Sequence, residues 1–173
     1  IPTQMIEKLQ RSRHFNQGFN TVELLAASLT DMDIHTIENY SPIDINEFER
    51  KMLNERRGLM EQIAPRYRYP YFSHIFDGGY SSGYYSYLWA EVLDKDAYQA
   101  FVESGDIFNK RIATDFRHKL LARGGEADGM DLYRAFRGAD PDRKPLLLGR
   151  GLIEEEPVVE EENKPTLTIQ EIE

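Results

Sequence analysis

Residues 71–89 read YFSHIFDGGYSSGYYSYLW, and this stretch decides both the fold and the functional interpretation of the chain. Its second half predicts a helix from about Ser81 to Leu93. At about 100° per residue, Tyr80, Tyr84 and Tyr87 stand at positions i, i+4 and i+7 of a helical pattern. The three phenols are therefore predicted to share one helical face.

The residues around this tyrosine row suggest how it is held. Tyr85 and Trp89 point to the opposite side of the predicted helix, where we expect them to anchor it in the core. Gly78, Gly79 and Gly83 flank the row. Because glycine permits close backbone approach and unusual torsions, the loop that leads into the helix is predicted to be mobile.

A row of phenols beside a histidine has two interpretations. A tyrosine hydroxyl stays protonated near neutral pH, so it can donate a hydrogen bond to an oxygen that becomes negative during attack on a carbonyl. His74, just before the glycines, can donate similarly or bind a peptide backbone. Tyrosines at helical spacing are nevertheless more often packing residues or part of a solvated surface. The pattern alone is compatible with either a catalytic or a structural role.

The whole chain predicts an all-α fold, an irregular multi-helix bundle. Predicted helix starts are capped by Thr21, by Asp44 or Asn46, and by Asp94. No hairpin signal or sustained alternation of apolar and polar residues indicates a strand. The predicted helices cover residues 3–13, 21–38, 44–58, 81–93, 94–103 and 109–123, with short turns at 130–136 and 145–148. In the 109–123 helix the inward residues are predicted to be Ile112, Phe116, Leu120 and Leu121.

Composition excludes several classes of protein. The chain has 173 residues and no cysteine, which excludes a disulfide scaffold, a thiolate zinc site and a cysteine nucleophile within it. No run of about 18 apolar residues indicates a membrane span, and no secretory signal is recognisable. The net charge is −9 and no basic stripe is present, so nucleic acid is not expected as a partner.

The last 20 residues, 154–173, differ from the rest and are predicted to form a disordered acidic tail. They contain eight glutamates against the single basic residue Lys164, and they lack aromatic residues. A strand at residues 166–169 that pairs with a neighbouring chain is a weaker alternative. The folded part is therefore predicted to be residues 1–153.

Other polar residues give weaker signals. His14, His35 and His118 are scattered, and no two histidines have the helical spacing of a zinc motif. Arg66 and Arg68 can in principle hold a substrate carboxylate by a bidentate contact, although a surface role is the more common one. The helical glutamates Glu23, Glu38 and Glu91 are expected to face solvent.

Taken in order, four blocks of the chain carry a family resemblance. The sequence resembles the thimet oligopeptidase and neurolysin family of zinc metallopeptidases, and most closely its bacterial peptidyl-dipeptidase Dcp branch. The most specific block runs from His74 through the tyrosine row to Leu93. The others lie in residues 15–35, beginning with FNQGF, in residues 116–125, and in residues 136–152, beginning with FRG.

This resemblance implies a specific role for the residues of the tyrosine row. It implies an all-α, zincin-like fold with a deep channel, and zinc-assisted attack of water on the bond of a short peptide. His74, Gly78, Gly79 and Tyr80 would contact substrate. Tyr84 and Tyr87 would lie nearest the scissile carbonyl, with Tyr87 the preferred donor to the oxyanion.

The sequence departs from the family pattern in one respect. The HExxH zinc motif, which the family carries N-terminal to the block at residue 15, is absent from these 173 residues. The chain is therefore expected to be the C-terminal fragment of a peptidase, without metal ligands and inactive alone. It starts at Ile1 without methionine, which indicates a processed chain or a piece of a longer one. The missing N-terminal part would then be its partner.

Two alternatives to a peptidyl-dipeptidase remain open at this stage. One is an endopeptidase similar to oligopeptidase A, and the other is a non-catalytic helical module that binds peptides. A fragment can also expose apolar surface and self-associate. A cytoplasmic location is favoured over a periplasmic one.

Overall fold

The fold is entirely helical in the residues that the structure describes. A computed structural model describes residues 1–39 and 41–154, and it contains eight α-helices and no strand within these residues. The predicted all-α irregular bundle is therefore confirmed. The predicted acidic tail lies, except for Glu154, outside the described residues. No helix in the described part of the chain has the length and apolar character needed to cross a membrane.

The first two helices, α1 (Thr3–Ser12) and α2 (Gln17–His35), are separated by a tight turn. Asn16 takes left-handed torsions in this turn, with φ of 57°. The predicted cap at Thr21 is wrong, because Thr21 lies inside α2 and its hydroxyl donates to the Gln17 carbonyl at 2.7 Å. α2 also ends earlier than predicted. Its buried face includes Leu24, Ala26, Ala27, Ser28, Thr30, Asp31 and Asp33.

The third helix begins where the sequence predicts. The Asp44 carboxylate accepts hydrogen bonds from the backbone amides of Asn46 and Glu47, both at 3.0 Å, and so caps α3 (Ile45–Arg50). A π-helical segment, Lys51–Arg56, continues α3 towards Gly58. The connection that contains Pro65 then leads into a 3-10 turn, Tyr69–Tyr71, and a single helical turn, α4 (Ser73–Phe76).

The longest helix of the second half, α5 (Ser86–Glu103), differs from the prediction. It begins five residues after the predicted start at Ser81, and it runs without a break through Asp94, which is therefore not a cap. Tyr85 and Trp89 were predicted to be core anchors, but they are 53% and 44% exposed. The helix instead buries Asp96 and Ala97.

The C-terminal helices pack against α5. Asn109, the first residue of the predicted 109–123 helix, caps α6 (Lys110–Asp115). A π-helical segment (Phe116–Leu120) and a 3-10 turn (Leu121–Arg123) continue this helix. Two shorter helices follow, α7 (Gly129–Arg137) and α8 (Lys144–Gly149). Leu121 is exposed, so its predicted inward position is wrong. The π-helical widening shifts the helical phase just before it, which takes Leu121 off the buried face.

Two buried clusters hold these helices together. The first joins α2 to the 3-10 turn, α4 and the tyrosine row, with Leu24, Ala27, Tyr69, Phe72, Ile75 and Tyr84 at its centre. The second joins α5 to α7. There the Tyr133 hydroxyl donates to the Asp96 carboxylate at 2.6 Å.

One arginine ties three distant segments together near the end of α8. Arg150 pairs with Glu91 of α5, and its guanidinium also donates to the Thr21 hydroxyl of α2 at 2.7 Å. Glu91 is thus an ion-pair partner instead of the solvated glutamate that the sequence suggests.

Candidate functional site

Tyr80, Tyr84 and Tyr87 lie close together in space, although no single helix arranges them. The ring centroids of Tyr80 and Tyr87 are 5.2 Å apart, and those of Tyr84 and Tyr87 are 5.0 Å apart. Only Tyr87 belongs to α5, while Tyr80 and Tyr84 lie in the turns before it. The predicted clustering is right, but the predicted cause, one helical face, is wrong. We call His74, Tyr80, Tyr84 and Tyr87 the phenol cluster.

A tight turn brings the start of this segment back towards His74. The amide of Gly78 donates to the Ser73 carbonyl at 3.0 Å, and the amide of Tyr80 donates to the His74 carbonyl at 3.1 Å. A Cβ atom at position 78 would lie 2.8 Å from the His74 Cα atom. Gly79 has φ of +80°, in the region that favours glycine. The glycine pair is therefore required by the turn itself.

Residues 81–85 continue as turns because Asp31 of α2 binds their backbone. Asp31 is fully buried. Its two carboxylate oxygens accept hydrogen bonds from the amide of Ser82 at 2.9 Å and from the amide of Tyr84 at 2.8 Å. His35, one helical turn along α2, places its Nδ1 atom 2.8 Å from the same carboxylate. Asp31 belongs to the 15–35 block that resembles the family, but the sequence pattern gave it no role, since its partners lie about 50 positions away in the chain.

His74 is surrounded by aromatic rings. Its ring centroid lies 5.0 Å from that of Tyr67, 5.9 Å from Tyr84 and 6.3 Å from Tyr80. Its Nδ1 atom is buried and forms no hydrogen bond with any described residue. A buried polar atom without a partner is uncommon and costs free energy, so it marks a place where a ligand or water can bind.

Tyr84 forms the buried base of the cluster. Its side chain is 3% exposed and packs edge-on against Phe72, with ring centroids 4.9 Å apart. Burial raises the pKa of Tyr84, and the neighbouring Arg66 guanidinium offsets part of that increase. Arg66 also lies 3.5 Å from the Glu23 carboxylate. The Tyr84 phenol therefore stays protonated, but it faces the protein interior.

Tyr87 is the accessible member of the cluster. Its side chain is 43% exposed, in contrast to that of Tyr84. A hydrogen bond with Tyr80, more than burial, raises the pKa of Tyr87 to about 12. Its hydroxyl therefore remains a hydrogen-bond donor well above neutral pH. The arrangement offers one exposed, protonated phenol supported by a buried one and a histidine.

Comparison with known proteins shows the family of the chain. The model of "Peptidase family M3" matches residues 1–152. The chain belongs to peptidase family M3. This result agrees with the resemblance that the tyrosine row and the flanking blocks carry.

Relatives within family M3 include two kinds of bacterial peptidase. The chain is 41% identical over 153 residues to the dipeptidyl carboxypeptidase of Escherichia coli and 40% identical over 153 residues to that of Salmonella typhimurium. It is 35% identical over 155 residues to the oligopeptidase A of Escherichia coli. In each case the match covers 88% of this chain.

The chain spans about a fifth of the length of these M3 peptidases, 22% in each of the three. The matched portion is their C-terminal part. The chain thus corresponds to a fragment of an M3 peptidase.

The remaining candidate residues are not brought into the cluster. Arg68 forms an ion pair with the buried carboxylate of Glu49, which also accepts a hydrogen bond from the Tyr69 amide. Arg68 therefore has a structural role. His14 packs against Gly151 at the end of α8, and His35 is bound to Asp31. Among residues 1–39 and 41–154, no group of three or more His, Cys, Asp or Glu side chains is arranged to hold a metal ion.

Proposed function

We propose that this chain forms the substrate-facing wall of the active site of an M3 peptidase that hydrolyses short peptides. The single observation that carries the proposal is the exposed phenol of Tyr87, packed on Tyr80 and Tyr84 at centroid distances of 5.2 and 5.0 Å. Membership of family M3 supplies the reaction class.

Tyr87 is assigned the role of oxyanion donor. When water attacks a peptide carbonyl, negative charge develops on the carbonyl oxygen, and a prearranged hydroxyl stabilises that charge more than it stabilises the substrate. The raised pKa of Tyr87 supports this role, because the donor stays protonated across the neutral and mildly alkaline range. Removal of one such donor typically lowers turnover on the order of 100-fold.

Tyr84 is assigned to the same catalytic group, in a supporting capacity. Its burial leaves little surface for substrate in this chain, so its proposed contribution is to hold the ring of Tyr87 in place. His74, Gly78, Gly79 and Tyr80 are assigned to substrate binding. The position of the partly exposed His74 beside Tyr80, and the exposed backbone of the two glycines, support that assignment.

Zinc is the metal that the family resemblance implies, and the residues described here do not fit a zinc site. We therefore assign the metal ligands to the part of the peptidase that this chain does not span. On this proposal the chain contributes hydrogen-bond donors and substrate contacts but no metal ligand, and it is inactive alone.

Release of dipeptides from a peptide's carboxyl end is favoured over internal cleavage. The identity to the two dipeptidyl carboxypeptidases is 40–41%, compared with 35% for the oligopeptidase A of Escherichia coli. The location of the protein in the cytoplasm and the absence of nucleic-acid partners stay predictions. Self-association of the fragment also stays a prediction, which the exposure of apolar residues such as Phe15, Trp89 and Phe108 supports.

A chimaera tests the proposed function directly. The matching segment of the Escherichia coli dipeptidyl carboxypeptidase is replaced by residues 1–153 of this chain, since the two are 41% identical over 153 residues. We expect the chimaera to release dipeptides from short peptides at a rate within about tenfold of the parent enzyme. A chimaera that folds, as judged by thermal unfolding and circular dichroism, but shows no hydrolysis would contradict the proposal.

The alternative, a peptide-binding module without catalysis, makes a different prediction about the gene. If the reading frame upstream of Ile1 encodes an HExxH motif, the peptidase assignment gains support. If a complete upstream region lacks the motif, the non-catalytic module is favoured.

A further inference from the structure

Asp31 sits at the junction between α2 and the phenol cluster, and every contact of its carboxylate is internal. The Ser82 amide donates to Oδ1 at 2.9 Å, and the Tyr84 amide donates to Oδ2 at 2.8 Å. His35 Nδ1 lies 2.8 Å from Oδ1. No lysine or arginine of the described residues pairs with Asp31, so the two backbone amides take the place of a cationic partner. His35 Nδ1 lies near the carboxylate but forms its hydrogen bond with the Asp31 backbone carbonyl at 2.9 Å.

These contacts explain why residues 81–85 do not join α5. Hydrogen bonds from backbone amides to an ionised carboxylate are stronger than those between neutral groups. They hold the segment in turns even though Ser82 has φ of +56°, which is unfavourable for a residue other than glycine. α5 consequently begins at Ser86.

The turn at residues 81–85 determines the positions of the tyrosine rings in the phenol cluster. It buries the Tyr84 ring against Phe72 at a centroid distance of 4.9 Å. It also brings the ring of Tyr80 against that of Tyr87, which lies on the first turn of α5, with the ring planes 30° apart. A shift of residues 81–85 towards helix would change the separation and the relative angle of these two rings.

We propose that Asp31 is the positioning residue of the phenol cluster, acting on Tyr87 through the backbone of Ser82 and Tyr84. Its carboxylate does not touch substrate. Its effect on turnover rests on the proposed function, whereas its effect on the geometry of residues 80–87 does not.

A matched control lies two residues further along the same helix. Asp33 is also a buried carboxylate of α2, and it pairs with Arg57 through contacts of 2.5 and 3.2 Å. It binds no backbone amide of residues 80–87. Asp33→Asn therefore removes a buried charge from the same helix without releasing the turn.

Amide hydrogen exchange in the 173-residue chain tests the geometric claim. Asn at position 31 offers only one acceptor oxygen, so Asp31→Asn leaves at least one of the Ser82 and Tyr84 amides without its partner. We expect the protection factor of that amide to fall at least about tenfold further than in Asp33→Asn. Equal protection of both amides in the two variants would overturn the proposal.

A measurement on the unmodified chain covers the case in which Asp31→Asn does not fold. Scalar couplings across hydrogen bonds, from the Ser82 and Tyr84 amide nitrogens to the Asp31 carboxyl carbon, should be detectable by nuclear magnetic resonance. If the Tyr84 amide is instead coupled to the Tyr80 carbonyl carbon, as in a helix that starts at Ser81, the positioning role is wrong.

Kinetics of the chimaera separate positioning from a purely structural effect. Asp31→Asn is expected to lower kcat at least about tenfold more than Asp33→Asn, with KM changed by less than about threefold, because substrate still binds while the donor is misplaced. Equal losses in both variants would overturn the link to turnover. An inactive parent chimaera would count against the proposed function alone, and the exchange and coupling measurements would still decide the position of Asp31.

Discussion

Two regions of the molecule each contain a notable tyrosine hydroxyl, which is buried in one region and exposed in the other. In the contact between α5 and α7, Tyr133 is buried and its hydroxyl donates to Asp96 at 2.6 Å. In the phenol cluster, Tyr87 is exposed and its hydroxyl interacts with that of Tyr80. The first hydroxyl has a carboxylate partner and no access to a ligand. The second lies beside another phenol and faces outward.

The difference teaches how to separate structural from functional tyrosines. Burial and the Asp96 carboxylate raise the pKa of Tyr133, and both causes are internal to the fold. Arg137 completes that site by pairing with Asp96 and with Glu103 of α5. Every polar group there has a protein partner. In the phenol cluster, by contrast, the buried Nδ1 atom of His74 has no partner among the described residues.

The largest expected effect concerns the buried base of the phenol cluster. Tyr84→Ala removes a ring packed against Phe72 and should lower the free energy of unfolding by roughly 3–5 kcal/mol. The adjacent Tyr85 is exposed, so Tyr85→Ala should change the free energy of unfolding by less than about 0.5 kcal/mol. Chemical denaturation of the two variants checks this. Similar losses in both would mean that the cluster has no packed base.

A smaller effect is expected at the structural tyrosine. Tyr133→Phe removes one hydrogen bond to the buried Asp96 carboxylate and should lower the free energy of unfolding by about 1–3 kcal/mol. Arg137 still pairs with Asp96 in that variant, which keeps the loss at the lower end. Thermal or urea unfolding measures it. If Tyr133→Phe instead left the free energy of unfolding unchanged and abolished hydrolysis by the chimaera, Tyr133 would be a functional tyrosine and its structural role would be wrong.

The smallest expected effect is a change in the pKa of Tyr87 and hence in the pH dependence of turnover. The hydrogen bond with Tyr80 raises the pKa of Tyr87 to about 12, so Tyr80→Phe should lower it towards the ordinary value of about 10. The raised pKa means that the fold favours the neutral form of the Tyr87 phenol. The contribution of this phenol to the stability of the folded chain is therefore present below pH 10 and is lost as the pH rises towards 12.

The kinetic consequence of that shift can be measured in the chimaera. Turnover should decline at lower pH in the Tyr80→Phe variant than in the parent, and the ratio of kcat at pH 10 to kcat at pH 8 reports it. Tyr71→Phe, at an exposed tyrosine outside the cluster, is the control. Identical profiles for all three proteins would show that Tyr80 does not influence Tyr87.

Local signals in the sequence were sufficient for some features and insufficient for others. The cap at Asp44 was predictable because a capping side chain bonds the backbone two or three residues away. The start of α5 at Ser86 was not predictable from periodicity, because the competing hydrogen bonds come from Asp31, about 50 residues earlier. The membership of the phenol cluster was predicted, although its geometry was not.

Thr21 and Leu121 illustrate the same limit. Thr21 has the side chain of a helix cap, yet it lies inside α2 and accepts a hydrogen bond from Arg150, 129 residues later. Leu121 follows a π-helical segment that breaks the helical phase on which the inward assignment depended. Both errors arise because a 3.6-residue period describes local geometry only, whereas distant contacts and changes of helix type depend on the fold.

The central claim, that Tyr87 is a donor to the reacting carbonyl and not a packing residue, is tested most directly by Tyr87→Phe in the chimaera. We predict that kcat falls on the order of 100-fold while KM and the free energy of unfolding stay close to those of the parent. Tyr133→Phe, measured in parallel, should show the reverse pattern, with lower stability and unchanged kcat. Full turnover in Tyr87→Phe would contradict the account.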